Sequence, residues 1–541
     1  MQPTGSRPPA RASNGMVTAP HALAAQGGLQ MLAAGGNAAD AAIATAAALS
    51  VVYPHMTGLG GDAFWLYYDA KTGDVSAYNG SGAAAQLATM DHYQAREAHA
   101  VPETGALAAL TVPGAVDAWF ALHERFGSFS MERLLAAAVR YAVDGAPVAR
   151  SLHGALQQKR DQLLRDEGAA SLYACERVAP IGSRLRQPQL GASLRSIAQF
   201  GRAWFYEGEG AERIGRYCER IGSPLRAADF AAHAGLSCSP AAGTFLGCDS
   251  LTMPPNSQGI TLLAAQAIYE RHRGAHQAEG GAARGSVDDD VSALHAAIES
   301  IRLAFETRDE YVRDPRMAAD WREALASERI AALAARIDRD VAAPSSDERA
   351  DRGDTTYFAC TDGDGNAVSF IQSLFHGFGA AVAVPELGIV LNNRGSAFQL
   401  SPGHRSLSPG VRPFHTLMPC MLMSDGKPWL VYGSMGGEGQ PQTALLLSIR
   451  IAQEGMDVQA AIEAPRFRYG KTWIEEPARL NLEARFDPAS IAGLRARGHA
   501  VNVLGDWEES MGHAGAILFE RACGFMSGGA DPRGDGAAVG F

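Results

Sequence analysis

The run Asp354-Thr355-Thr356-Tyr357-Phe358-Ala359-Cys360 puts a threonine at the start of a strand-like stretch. A threonine hydroxyl becomes a strong nucleophile when the α-amine of the same residue is free to act as its base. Freeing that amine requires a break between Asp354 and Thr355. The segment before it, Ala343 to Gly353, is polar, holds Pro344 and Gly353, and reads as exposed and open to cutting. The chain is therefore expected to be the precursor of a self-cleaving amidohydrolase. A threonine that opens a strand is also ordinary β-propensity, so the local pattern needs support from elsewhere.

A second group of residues could serve the same chemistry. Gly433-Ser434-Met435-Gly436-Gly437-Glu438-Gly439-Gln440 follows the apolar strand Trp429–Tyr432 and precedes a helical pattern. The adjacent Gly436 and Gly437 can aim backbone N–H groups at an oxyanion, although a plain strand-to-helix turn would look the same. By contrast, Gly58-Leu59-Gly60-Gly61 lies before a strand. That order is wrong for a dinucleotide fingerprint, so no nucleotide is expected. His55, His376, His404 and His415 show no ligand spacing, so no metal is expected, and the chemistry needs no organic cofactor.

These residues need elements to hold them. Asn37 caps a helix running through Val52, with Asp40 at the third helical position in a near capping box. Ala63–Asp69 and Val75–Tyr78 form a hairpin across Lys71-Thr72-Gly73-Asp74. Residues 112–273 read as mostly helical, Gly274 to Asp290 as a mobile loop, and 291–313 and 321–337 as amphipathic helices. Beyond Thr355 the chain turns strand-rich at 355–361, 367–374, 388–392, 420–424 and 429–432, with helices at 442–454 and 458–464. Helices before the expected cut and strands after it suit an α+β core shared by both segments.

The chain has 541 residues, is 47% hydrophobic and 19% charged, and carries a net charge of -11. Scattered cations and net acidity argue against a nucleic-acid surface. Seven cysteines without a C-x-x-C pair argue against a disulfide framework. The N-terminus has no apolar signal core, residues 1–14 are expected to be disordered, and no segment suits a membrane span, so a cytoplasmic setting is expected.

Taken together, residues 35–69, 354–379, 388–398 (GIVLNNRGSAF), 432–444 (YGSMGGEGQPQTA) and 463–469 (EAPRFRY) resemble the γ-glutamyltranspeptidase family of N-terminal-nucleophile hydrolases over nearly the whole chain. The resemblance implies an α+β, four-layer αββα sandwich formed jointly by two segments of one precursor. It implies a cut between Asp354 and Thr355, a helix-rich large subunit (1–354) and a strand-rich small subunit (355–541). The two would form a heterodimer, with a dimer of heterodimers as a further option. Position by position, it puts the nucleophile on Thr355, its supporting hydroxyl on Ser373, and the oxyanion glycines on Gly436 and Gly437.

The groups that grip a γ-glutamyl moiety in this family do not carry over. The Arg for the α-carboxylate falls near Gly80-Ser81, the Asn after the second strand on Phe375, and the Gln and Asp of the next loop on Arg394 and Ala397. The serine pair falls on His415 and Thr416. Without an acid at 397, a substrate ammonium would be left unpaired, whereas Arg394 offers a fork for a carboxylate. The pattern is most similar to the branch that includes oxamate amidohydrolase. A small carboxylated amide is thus the expected substrate. The alternatives are a γ-glutamyltransferase acting on glutathione, an acylase for dicarboxylic acyl side chains, and an uncleaved, catalytically silent binding protein.

Overall fold

The computed structural model describes residues 7–173, 177–278, 286–317, 320–344, 353–470, 479–520 and 522–541. Along the strand Asp354–Asp362, side chains alternate between two cores. Tyr357 and Ala359 enter a layer shared with Met421, Val431 and Ile517, while Phe358 and Cys360 face a layer of helices. The strand Ala367–Phe375 alternates in the same way, with Ile371 on one side and Val368 and Phe370 on the other. Strands apolar on both faces must be covered on both faces.

That requirement is met by two seven-stranded sheets packed face to face. One runs in the order Ala537–Gly540, Gly15–Ala19, Asp354–Asp362, Ala367–Phe375, Asp62–Tyr68, Val75–Gly80, Leu236–Cys238. The other runs Ala10–Ala12, Phe525–Ala530, Ala514–Glu520, Lys427–Ser434, Cys420–Ser424, Cys248–Thr252, Ala241–Phe245. The helices Ala22–Ala33, Ala38–Val52 and Ala115–Phe126 cover the first sheet, and Gly259–Ala278, Gly439–Ser448 and Val458–Glu463 cover the second. The result is the α+β, four-layer αββα sandwich of the N-terminal-nucleophile hydrolases.

The helix Ala38–Val52 shows how sequence produces this packing. Asn37 accepts from the N–H groups of Ala39 and Asp40, and Asp40 accepts from the Asn37 N–H at 3.0 Å, a complete capping box. Its fifteen residues are all buried, and its alanines let it lie directly on the strands at 354–362 and 367–375. The hairpin after it forms as expected, with strands Asp62–Tyr68 and Val75–Gly80.

Several expectations are corrected. Within the expected disordered stretch 1–14, Ala10–Ala12 forms an edge strand paired with Met526–Gly528; residues 1–6 lie outside the described residues. Arg7 secures this strand by reaching the Glu463 carboxylate at 2.8 Å and the Ala530 carbonyl at 3.0 Å. The helical reading of 112–273 missed the hairpin Ala241–Phe245/Cys248–Thr252, whose turn places Leu246 and Gly247 at positive φ. The segment expected as one helix over 321–337 splits at Ala326 into a 3₁₀ turn (Trp321–Leu325) and the helix Ser327–Ala334. The helix expected at 442–454 begins at Gly439, and Ile449–Gln453 is a π-turn. Only Ile389–Val390 of the expected strand 388–392 joins a ladder. The helix Gly259–Ala278 runs into the expected loop Gly274–Asp290, of which residues 279–285 lie outside the described residues, as do residues 345–352 of the expected linker.

Among the described residues no helix is long and apolar enough to cross a membrane. Cys218, Cys238, Cys360, Cys420 and Cys523 form no disulfide, and Cys175 lies outside the described residues.

Candidate active site

Thr355 is fully buried near the start of its strand, where the ladder to the neighbouring strand is irregular. Asp354 pairs with Phe375 and Thr356 with Gln372, so Ser373 and Leu374 together oppose Thr355. This is a bulge, and bulges re-aim side chains. Here it delivers the Ser373 hydroxyl to the Asp354–Thr355 peptide. Ser373 Oγ donates to the Asp354 carbonyl at 2.6 Å and accepts from the Phe375 N–H at 2.7 Å. Its one proton is thereby committed, so Thr355 Oγ1 is the donor in the 3.1 Å bond between the two hydroxyls.

Glycines in the Gly58–Gly61 turn permit this crowding. A Cβ on Gly61 would lie 2.4 Å from the Ser373 carbonyl, and one on Gly60 would lie 1.9 Å from the Val390 carbonyl. The turn that fails as a nucleotide motif therefore serves close backbone approach.

Gly436 and Gly437 both adopt positive φ, at 121° and 54°. Their carbonyls accept from the N–H groups of Gly439 and Gln440, and Gln258 also donates to the Gly437 carbonyl at 2.9 Å. The loop is seated by its neighbour: the Met435 N–H donates to the His513 carbonyl at 3.0 Å, and Gly512 lies so close that a Cβ would approach the Met435 carbonyl to 2.2 Å. Arg466 fixes that neighbour through the Gly512 carbonyl at 2.7 Å and pairs with Asp531 at 2.6 Å. Arg533 grips Glu483 through two bonds beside it.

A cleft of about 580 Å³ opens onto this junction. Gly353 and Asp354, Met435 and Gly436, His376 and Gly377, and Lys159 and Arg468 are among its lining residues. Asp354 as a residue keeps some exposure, but its carboxyl end lies deep. Burial raises its pKa, and Lys159, the Gly377 N–H and Arg468 oppose that rise.

The expected substrate-binding residues form a separate buried group outside this lining. The Arg394 guanidinium stacks on Phe375 at 3.8 Å and donates to Thr416 Oγ1 at 3.2 Å. Phe375 holds a positive φ of 82°. His415 meets Asp62 at 3.1 Å. Burial pushes the Asp62 carboxyl up, with Arg394 working against it, and holds His415 well below its usual value. Asp62 went unnoticed in the sequence reading because only the fold brings it to Arg394. Lys159 was missed too, although Ser151, Ala155, Gln158, Lys159 and Gln162 share one helical face toward the cleft.

Elsewhere, His295, Glu299 and His499 bring metal-ligand atoms within 4.8 Å of one another, a grouping invisible in linear spacing. The two His295 nitrogens already meet His499 and the Asp338 carbonyl at 2.8 Å each, and Glu299 accepts from Arg302 at 2.8 Å. This cluster reads as a satisfied polar core.

The fold is that of the N-terminal-nucleophile hydrolases. The family model for Gamma-glutamyltranspeptidase matches residues 24–541, and the chain belongs to that family. It is 42% identical over 528 residues to the glutathione hydrolase-like YwrD proenzyme of Bacillus subtilis, covering 97% of this chain and 98% of that protein. It is 41% identical over 538 residues to the oxamate amidohydrolase proenzyme of Klebsiella pneumoniae, covering 98% and 99%. Cephalosporin acylase from Bacillus halodurans superposes with a TM-score of 0.90 at 33% identity, covering 99% of this chain and 97% of that one. The chain is thus a family hydrolase of the kind that acts on amide bonds.

Proposed function

We propose that the chain is the precursor of a threonine amidohydrolase that cleaves small carboxylated amides, oxamate-like compounds first among them. The observation that carries this reading is the hydrogen-bonded line from Thr355 Oγ1 through Ser373 Oγ to the Asp354 carbonyl. In maturation, Thr355 Oγ bonds to the Asp354 carbonyl carbon. Its proton passes to Ser373, whose own proton moves to the carbonyl oxygen. Collapse breaks the C–N bond, the proton returns to nitrogen, and an ester on Oγ results. Water then hydrolyses that ester, leaving segments 1–354 and 355–541 associated as a heterodimer.

An α-amine ordinarily titrates at about 7.7–8.0, so the amine freed on Thr355 serves as general base toward substrate. Gly436 and Gly437 N–H groups hold the oxyanion, and water releases the acyl group. Arg394, supported by Phe375 and Thr416, reads a substrate carboxylate. The 41% identity to an oxamate amidohydrolase proenzyme supports the substrate class.

The test is a denaturing gel followed by amide profiling. Wild type is expected as two bands, the smaller starting at Thr355, with turnover of oxamate above glutathione. Thr355→Ala is expected as one inactive chain. Two-chain maturation of that variant would remove Thr355 as nucleophile, and efficient turnover of glutathione would make the enzyme a γ-glutamyl hydrolase. A persistent single band in wild type would favour a silent binding protein.

A further inference from the structure

During maturation the first acyl group that Thr355 carries is the aspartyl group of Asp354 itself. The uncut chain therefore shows where an acyl side chain rests before hydrolysis. That side chain points its carboxylate at a built feature. A Cβ on Gly377 would stand 2.8 Å from Asp354 Oδ2 and 3.5 Å from Lys159 Cε, so carboxylate, glycine and lysine stem share one corner. The Gly377 N–H bonds this carboxyl, and Lys159 and Arg468 supply positive charge toward it. Lys159 projects from the helix Arg150–Leu163, and Arg468 from the strand Phe467–Gly470, where its Nη1 is oriented by the Ser510 carbonyl at 2.9 Å. Once the Asp354–Thr355 bond is cut, the carboxylate can leave and the corner stays cationic.

We infer that Lys159, the Gly377 N–H and Arg468 form an anionic acyl subsite, apart from Arg394, that selects acyl groups ending in a second carboxylate. The spacing follows from Asp354, whose carboxylate is separated from its carbonyl carbon by Cα and Cβ. A succinyl group has the same spacing. A malonyl group is one carbon short, and a butyryl group has the length without the charge. Glu509, on the same cleft lining, feels the Asp354 carboxylate and opposes an anion in this corner, so the subsite depends on Lys159 and Arg468 together outweighing it. Glycine is required at 377, because any side chain would occupy the carboxylate position.

This inference rests on the amidohydrolase reading, and the experiment separates the two. Matured wild type is assayed on succinyl, malonyl and butyryl anilides, and calorimetry measures binding of succinate. Wild type should favour succinyl over butyryl by about tenfold or more in kcat/KM, the effect of one modest charge interaction. Lys159→Met and Arg468→Met should each collapse that ratio, and Lys159→Arg should restore most of it, a readout that a folding defect would not mimic. Succinate binding should weaken in parallel. A ratio near one in wild type, or one unmoved by both variants, overturns the subsite. If no anilide is cleaved, turnover of oxamate decides the amidohydrolase reading, and succinate binding alone decides the subsite: binding lost in Lys159→Met upholds it, and binding absent from wild type or unchanged in the variant overturns it.

Discussion

At the scale of single residues, the decisive feature is that one serine proton is spoken for. Ser373 donates to the Asp354 carbonyl and so must accept from Thr355, which gives the pair a direction. Gly437 carries a different constraint. At φ 54° a larger residue is strained, and the loop before it is already crowded by Gly512. On the proposed oxyanion role, Gly437→Val should displace the N–H from its aim and lower kcat of the matured enzyme far more than it raises KM, by up to about 2.7–4 kcal/mol, the cost of losing an oxyanion donor. Steady-state kinetics check this, and full kcat with a raised KM would make the glycine a matter of substrate shape. Arg394→Ala should raise KM for oxamate by an amount equivalent to roughly 2–5 kcal/mol, with Arg394→Lys recovering part of it because a point charge lacks the fork. Unchanged KM in both variants would assign Arg394 to packing on Phe375. Thr355, Gly436 and Gly437 stood out in the sequence by their local patterns, whereas Ser373 was picked out only through the family resemblance. Asp62 and Lys159 were not legible there, since their partners lie hundreds of positions away and only the fold introduces them.

At the scale of elements, the capping box at Asn37 and the hairpin at 62–80 could be read directly, because both depend on neighbours within a few residues. The hairpin at 241–252 could not: Ala241-Ala242-Gly243 lacks β-branched side chains, and its strand character comes from pairing within the sheet. The same dependence on distant partners governs the 511–513 loop that seats Met435. Burial works against the charge on Asp531, but Arg466 and Arg533 outweigh it and hold the carboxyl well below the usual carboxylate range. A depressed folded pKa means that this contribution is complete above the unfolded value of about 3.9 and is lost as pH falls through the folded value. Thermal melts should therefore show an acid limb beginning below about pH 4 that is flattened in Asp531→Asn. That variant should also lose about 3–5 kcal/mol at neutral pH, because the buried Arg466 and Arg533 are left to share the Glu483 carboxylate. An acid limb identical in wild type and variant would remove this network from the account of stability.

At the scale of the whole molecule, the Asp354–Thr355 bond does not lie between two domains. Each sheet is assembled from strands on both sides of it. The strand Asp354–Asp362 lies between Gly15–Ala19 from the first segment and Ala367–Phe375 from the second, and Cys420–Ser424 pairs with Cys248–Thr252 across the same divide. Between the sheets, Met16, Phe64 and Leu66 pack with Tyr357, Met421 and Ile517. Separating the segments would expose this core and strip both sheets of ladder partners, at a cost comparable to unfolding. Cleavage should therefore be silent in the native state: matured protein should elute as one species retaining both segments, resolve into two chains only under denaturing conditions, and melt in a single transition shared by both. Hydrogen exchange should show the amides of Phe358–Cys360 as protected after cleavage as in uncleaved Thr355→Ala. Segments that part under native conditions, or a first segment that melts on its own, would mean that the two halves fold as independent bodies and that the shared sandwich does not hold the matured enzyme together.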